Sequence, residues 1–336
     1  MAANCSLGLS TAAAALGTAK KSAAVLYHYP CPDGAFAALA AHVYFSAASL
    51  PALFFPNTVY APLAPHQLPL RDIGDLYLLD FVGPSGFVRE ISPHVSRVVI
   101  LDHHKTALEM LSGDGCNVGD NVVKILDMER SGATIAYDYF KEKLVGNSKV
   151  EEFERMGRLF EYIEDGDLWR WRLPNSKAFS SGLKDSNIEF DVRLNPSLFQ
   201  QLLSLDLEAV INQGMLSLSQ KQKLIDDVLD QSYEISMGNG AFGHCLAVDA
   251  DSISELRSEL GNQLADKSYK MKLRGIGAVV YRVPELENDQ LLKVSLRSLD
   301  SEDTTHISQN FGGGGHRNAS SFMISSAEYE QWKVQQ

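Results

Sequence analysis

Cysteine is scarce and scattered in this chain. Four residues, Cys5, Cys31, Cys116 and Cys245, stand in 336, with no Cys-x-x-Cys pair among them. That argues against a zinc ribbon or a disulfide framework and points to a reducing compartment. Long apolar runs are lacking too: no stretch of about 18 apolar residues occurs, so no membrane-spanning helix and no membrane partner is expected. Positive charge is in deficit, with 30 Lys and Arg against 42 Asp and Glu and a formal net charge of −12. Gripping a long duplex requires a basic face, so long duplex nucleic acid is not an expected partner, although a local basic patch could hold a short strand or a nucleotide. The first 21 residues contain no acidic residue and no arginine. Transit peptides are usually Arg-rich. The expectation is therefore a disordered leader over residues 1–22 and a cytoplasmic protein, with organelle import through the leader as the alternative.

What is present suffices for a core without covalent staples: 45% of residues are hydrophobic and 21% charged. Short continuous apolar runs, Ala23 to Tyr27, Leu53 to Phe55, Leu76 to Leu79, Val98 to Leu101 and Val122 to Leu126, alternate with helical patterns over the first half. Such runs predict a parallel sheet covered by helices on both faces. Residues 131–145 and 151–163 read as helices, the second with a core stripe through Phe153, Met156, Phe160 and Ile163. Residues 187–236 read as a strand-free helical connector. Strand patterns return at 244–248, 276–283, 291–299 and 322–324, with a helix near 253–266. The fold class is α/β in two lobes: a domain at 23–186, the connector at 187–236, and a smaller mixed-sheet lobe at 237–336.

Three strands of the first lobe run into chemistry. The first ends at His28 and is followed by Cys31 and Asp33, the third ends at Asp80, and the fourth ends in Asp102-His103-His104. In an open parallel sheet ligands bind outside the carboxyl ends of the strands, so these residues are expected to converge. Asp and His together suit divalent cations such as Mn²⁺, and a shared carboxylate can bridge two of them.

Asp102-His103-His104 after an apolar strand resembles the signature of the DHH phosphoesterase superfamily. The segment His28 to Gly34 looks like that family's first motif, Asp80 its second, and Tyr162 to Trp169 its fourth. Gly312-Gly313-Gly314-Gly315-His316-Arg317, preceded by Arg297, is similar to the glycine-rich motif of the DHH-associated domain. The resemblance covers roughly residues 23–325. It implies one metal held by Asp33, Asp80, His103 and Asp165, and a second held by His28 and Asp80 with help from Cys31. It further implies His104 on the scissile phosphate, Asp102 orienting an imidazole, and the glycines, His316, Arg317 and Arg297 binding substrate. Asp167 competes with Asp165, but is expected to brace the loop, with Glu164 in solvent. Cys31 stands where the family usually has a second aspartate. A soft thiolate there suits another metal, or the residue is simply packed. Trp169 and Trp171 could stack on a base, but are expected in the core.

The implied activity is hydrolysis of phosphate esters or phosphodiesters in small nucleotides or very short oligonucleotides. The expected cofactor is two divalent ions, Mn²⁺ first, with Mg²⁺ or another metal as the alternative near Cys31. A non-catalytic nucleotide sensor and a longer single-strand exonuclease remain as other readings, and a homodimer is compatible with all three.

Overall fold

The computed structural model describes residues 22–112, 118–146 and 150–334. The expected leader lies outside the described residues except for Ser22, as do Cys5 and Cys116. The chain divides into two compact units, Met1–Leu216 and Ser217–Gln336.

In the first unit β1 (Ser22–His28) leads through α1 (Pro32–Ala47) to β2 (Ala52–Asn57) and β3 (Ile73–Leu79). Next come α2 (Phe87–Ile91), β4 (Arg97–Asp102), α3 (Lys105–Ser112) and β5 (Val122–Leu126). A run of helices follows: α4 (Gly132–Glu142), α5 (Val150–Asp167), α6 (Ser176–Asp185), α7 (Leu198–Leu203) and α8 (Leu207–Leu229), the last of which begins in the first unit and ends in the second. All five strands are parallel, in the order β2-β1-β3-β4-β5.

The apolar runs of β1, β3 and β4 bury both of their faces, because successive side chains point to opposite sides. Val25, Tyr27, Tyr77, Leu79, Val99 and Leu101 pack with α1, α4 and α5. Leu26, Leu76, Leu78, Val98 and Ile100 pack on the other side with α2 and α3. The order 2-1-3-4-5 reverses direction at β1, so the crevice beyond the carboxyl ends of β1 and β3 is the topological switch point where ligands enter such sheets.

The second unit is a mixed six-stranded sheet ordered β10-β11-β9-β8-β7-β6. It is built from β6 (Tyr233–Ser236), β7 (His244–Asp249), α9 (Arg257–Lys270), β8 (Ile276–Tyr281) and β9 (Leu291–Ser298), then α10 (Thr305–Asn310), β10 (Gly314–His316), β11 (Ala319–Ser325) and α11 (Ser326–Glu330). Two strands depart from expectation. β6 falls in the stretch read as strand-free, where its apolar content is one fully buried side chain, Ile235. The second half of the glycine run, Gly314 and Gly315, lies in an edge strand: β10 pairs antiparallel with β11.

Two glycines set how closely α6 and α8 approach. A Cβ at Gly182 would lie 2.0 Å from the Val210 carbonyl oxygen, and one at Gly214 would lie 1.8 Å from that of Ala178. Neither obstacle can swing aside, because both are helix backbone. Gly214→Ala is expected to destabilise the first unit by about 1–3 kcal/mol, the usual cost of overpacking. Urea unfolding should show a lower midpoint with an unchanged slope, and an unaltered midpoint would mean that the helices separate freely.

Candidate metal centre

The chain turns sharply after β1, and Cys31 begins α1 in extended conformation with Pro32 in its first turn. Asp33 is thereby carried back over the strand end. Its carboxylate is buried and accepts from two backbone amides at the start of α4, Gly132 N–H at 2.7 Å on Oδ2 and Ala133 N–H at 3.0 Å on Oδ1. A helix N-terminus supplies unpaired N–H groups and partial positive charge, which suits an anion. Ser131 caps α4 and also bonds to Asp33.

Two glycines make this approach feasible. A Cβ at Gly34 would sit 2.3 Å from the His28 carbonyl oxygen. One at Gly132 would sit 2.7 Å from Asp80 Cβ and 2.9 Å from Asp33 Oδ2. Residues 131–133 were not singled out from sequence. The only signal was a Ser ahead of a helical pattern.

Asp80 follows β3 with φ of 56°, a left-handed conformation uncommon outside glycine. Its Oδ2 lies 3.2 Å from His28 Nδ1 and its Oδ1 3.2 Å from His103 Nε2. Burial opposes its charge, but the two imidazoles outweigh that and hold its pKa down at about 2. Burial likewise opposes the His103 cation, yet Asp80, Asp33 and Asp167 together lift its pKa to about 9. Asp33 is pushed well above the usual carboxylate range by burial and then by the charges of Asp80 and Asp167. Burial, followed by the same Asp80 and Asp33 charges, pushes the Cys31 thiol up, so without a cation it is a neutral thiol.

The members of the DHH triplet divide their roles. Asp102 Oδ1 accepts from the backbone N–H of His103 at 2.6 Å and of His104 at 2.9 Å, and lies 2.7 Å from His104 Nδ1. The imidazole that Asp102 orients is therefore His104, which is 44% exposed, with Nε2 left for a ligand. His103 turns inward to Asp33, Asp80 and Asp167, at 3.6, 3.2 and 3.5 Å.

The roles expected of Asp165 and Asp167 are exchanged. Asp165 accepts from Arg172 N–H at 3.0 Å on Oδ1 and from Leu173 N–H at 3.2 Å on Oδ2, so both oxygens brace the loop after α5. Asp167, at the end of α5, stands with His103 and Asp33. Residues two apart on a helix point about 200° apart, so the helix cannot bring both carboxylates to one place. Glu164 is not in solvent: it accepts from Ser131 N–H at 3.1 Å and from the Thr134 hydroxyl, and pairs with Arg170 at 3.2 Å. Trp169 is not core either, being 78% exposed.

Among the described residues three groups of side chains could each hold a cation: His28, Cys31 and Asp80; Asp80, His103 and His104; and Asp33, His103 and Asp167. Two observations fit the donor set to a divalent metal. Asp80 Oδ1 is buried, and the imidazoles of His103 and His104, at 3.2 and 3.6 Å, approach it without making a well-formed hydrogen bond, a costly state for a carboxylate oxygen. The charge of Asp80 also helps to raise the pKa of Asp33 and of Asp167, a repulsion that a cation would relieve.

The residues of the second unit are arranged differently from expectation. Cβ atoms at Gly313 and Gly315 would strike β11, at 2.1 Å from the Ser321 oxygen and 2.5 Å from the Ala319 oxygen. Gly312 and Gly314 face open space. Paired register places His316, Ala319 and Arg297 in one cross-strand row, hence on one face. Arg297 donates to Ser258 Oγ at 2.9 Å, and Arg317 donates to the carbonyls of Glu302 at 3.2 Å and Asp300 at 3.4 Å, so Arg317 fixes the turn after β10.

The exchange of Asp165 and Asp167 can be tested. The bonded carboxylate of Asp165 has a lowered pKa: burial opposes its charge, but Ser176 and the two backbone amides prevail. Its charge thus stabilises the fold above the unfolded pKa, and that stability is lost as pH falls. Asp167 is raised, chiefly by burial, so its charge costs stability at neutral pH. In metal-free protein Asp165→Asn is expected to lower Tm, and Asp167→Asn to leave it equal or raise it. With Mn²⁺ present, only Asp167→Asn should lose metal affinity in titration calorimetry. Loss of affinity in Asp165→Asn alone would reverse the assignment.

No family model matches the chain. Among curated proteins it is similar to an uncharacterised protein, R106, of Acanthamoeba polyphaga mimivirus, 26% identical over 313 residues that cover 90% of this chain and 67% of that protein. It is also 26% identical over 249 residues to the oligoribonuclease NrnB of Bacillus subtilis, covering 70% of this chain and 54% of that one. The chain thus spans about two thirds and about half of the lengths of these relatives. Among solved structures, the pGpG-specific phosphodiesterase PggH of Vibrio cholerae aligns over 93% of this chain and 96% of its own, at 12% identity and a TM-score of 0.43. The motifs of the first unit, read in order along the chain, are met again in space beyond the carboxyl ends of one parallel sheet, and in that arrangement the chain resembles the DHH superfamily.

Proposed function

We propose that the chain is a metal-dependent phosphoesterase that hydrolyses phosphate esters or phosphodiester bonds in small nucleotides or very short oligonucleotides. The observation that carries this reading is Asp80. It is buried between two sets of donors, with one oxygen toward His28 and the other toward His103. A carboxylate so placed suits a bridge between two cations. His28, Cys31 and Asp80 would hold one, and Asp33, Asp80, His103 and Asp167 the other, with Mn²⁺ the first candidate for both. Bound there, divalent ions would neutralise phosphoryl oxygens and acidify the attacking water.

The chain's own residues do the rest. Asp33 is fixed by α4, so a carboxylate already lies at its place before any ligand arrives. Asp102 holds the imidazole of His104 through Nδ1, leaving Nε2 to reach a phosphoryl oxygen. The hydrogen bond that His104 Nδ1–H donates to Asp102 is the main reason that the pKa of His104 is raised, burial opposing, and a protonated His104 would donate through Nε2 to charge developing on the phosphate. Within the second unit, Gly312, Gly314, His316 and Arg297 are assigned to binding an anion such as a phosphate, with Arg317 shaping the turn. Backbone N–H groups of bare glycines and a nearby cation suit a phosphate.

Small substrates are favoured by the net charge of −12, which repels a long polyanion. The likeness to a protein named as an oligoribonuclease supports the same class.

Asp80→Ala and His103→Ala are each expected to lower kcat/KM by at least about a hundredfold. Chelator should abolish turnover and added Mn²⁺ restore it. Full activity of either variant, or of stripped protein, would refute the metal mechanism and leave a nucleotide sensor.

On RNAs from two to about twenty nucleotides at fixed salt, kcat/KM should fall with length. His316→Ala should raise KM for a dinucleotide by about tenfold, the cost of one charge-assisted hydrogen bond, with kcat little changed. A rate that climbs with length, with processive degradation, would favour a long-strand exonuclease.

A further inference from the structure

A cavity of about 730 Å³ opens in the first unit beside the carboxylate cluster. Asp33 and Asp167 belong both to its wall and to the cluster. The rest of its lining is largely apolar and aromatic, with Tyr29, Phe179, Ile188 and Trp169 prominent. Ser180 and Asn187 add polar groups that can meet the edge of a ring. Its size suits a small molecule such as a nucleotide.

The fold holds this cavity open at a cost. Trp169 is 78% exposed, although tryptophan is usually well buried. Its backbone has φ of 52° and that of Trp171 φ of 51°, conformations rare for bulky residues. Strain of this kind persists where the surroundings impose it, and it clusters at ligand clamps. The surroundings here are specific. Asp165 clamps the amides of Arg172 and Leu173. Arg170 is tied to Glu164 at 3.2 Å and to the Glu129 carbonyl. The Trp171 ring lies over Gly166 and meets Trp169 edge-on, with centroids 5.5 Å apart. The opposite wall is pinned as well. The buried hydroxyl of Tyr27, on β1, donates to the Phe190 carbonyl at 2.7 Å and accepts from Val192 N–H at 3.1 Å. Tyr29 bonds to Glu189. Two braced walls with an indole held out at the rim make a preformed aromatic slot.

We propose that this slot is a nucleobase subsite, in which Trp169 stacks on the base of the nucleotide whose phosphate engages the carboxylate–imidazole cluster. The inference rests on the phosphoesterase reading and deepens it. Stacking on an aromatic face tolerates any base, and the cavity therefore selects for a nucleotide over a bare phosphate ester without selecting one base. Tyr29 and Phe179 complete the apolar surround.

The test uses the full chain loaded with Mn²⁺, two probes and titration calorimetry. AMP carries a base and ribose 5-phosphate does not. Wild-type protein should bind AMP at least about tenfold more tightly than ribose 5-phosphate. Trp169→Leu should weaken AMP binding by roughly five- to a hundredfold, the range of base–aromatic stacking, and leave ribose 5-phosphate binding and Mn²⁺ affinity alone. Trp169→Phe should recover most of the loss. The side chain is exposed, so Tm of both variants should stay near that of the wild type. Equal binding of the two probes by the wild type, no binding of either, or a loss in Trp169→Leu that is the same for both, would overturn the subsite. A separate assay of Mn²⁺-dependent dinucleotide hydrolysis keeps the two readings apart. Turnover without base-selective binding refutes the subsite alone, and base-selective binding without turnover refutes the enzyme alone.

Discussion

Asp33 gives both carboxylate oxygens to the first amides of α4, and much of the site's geometry follows from that contact. It joins the end of β1 to a helix about a hundred residues later in the chain, so the strand that supplies His28 and the helix that closes over Asp80 are fixed together. The cluster assembled there is electrostatically uncomfortable. Asp33, Asp80 and Asp167 crowd one space, where His28, His103, His104 and the helix terminus oppose their charge. The fold tolerates this because α4 takes up one carboxylate and the imidazoles another. A cation is the remaining partner that the arrangement lacks, as the unbonded Oδ1 of Asp80 indicates.

The end of α5 shows how one helix serves two tasks. Asp167 faces the cluster while Asp165 faces away and clamps the loop that follows. The same turn of helix therefore adds a carboxylate to the cluster and shapes the wall beside it. Glu164, one residue earlier, ties this helix end to the start of α4 through Ser131 and Thr134. The aromatic slot and the carboxylate cluster are in this way two faces of a single joint between α4 and α5.

Much of this was legible in the sequence. The strand ends at His28, Asp80 and Asp102 were readable because a buried parallel strand is a short apolar run that must stop where a polar residue begins. Helix phase was not readable at Asp165 and Asp167: a helix end adds or loses a turn without a strong sequence signal, and one residue rotates a side chain by about 100°. No strand pattern was readable at the glycine run because glycine weakens strands locally. Its pairing with β11 is set by contacts within the sheet, which local propensity does not carry. Trp169 read as core because tryptophan usually is, and nothing in the residue order reveals a left-handed backbone imposed by a carboxylate four residues earlier.

Gly132 and Gly34 bring a consequence for how this chain can vary. Neither has a side chain to offer a ligand, yet a single added methyl group would collide with Asp80 at one and with the His28 carbonyl at the other. In a saturation mutagenesis map, these two positions should stand out as intolerant as the acidic and imidazole residues around them. A ranking of such a map by sensitivity alone would count them among the reactive groups. The distinction would emerge only from the pattern of tolerated residues, since a ligand position can accept another donor, whereas a position defined by the absence of an atom accepts nothing else.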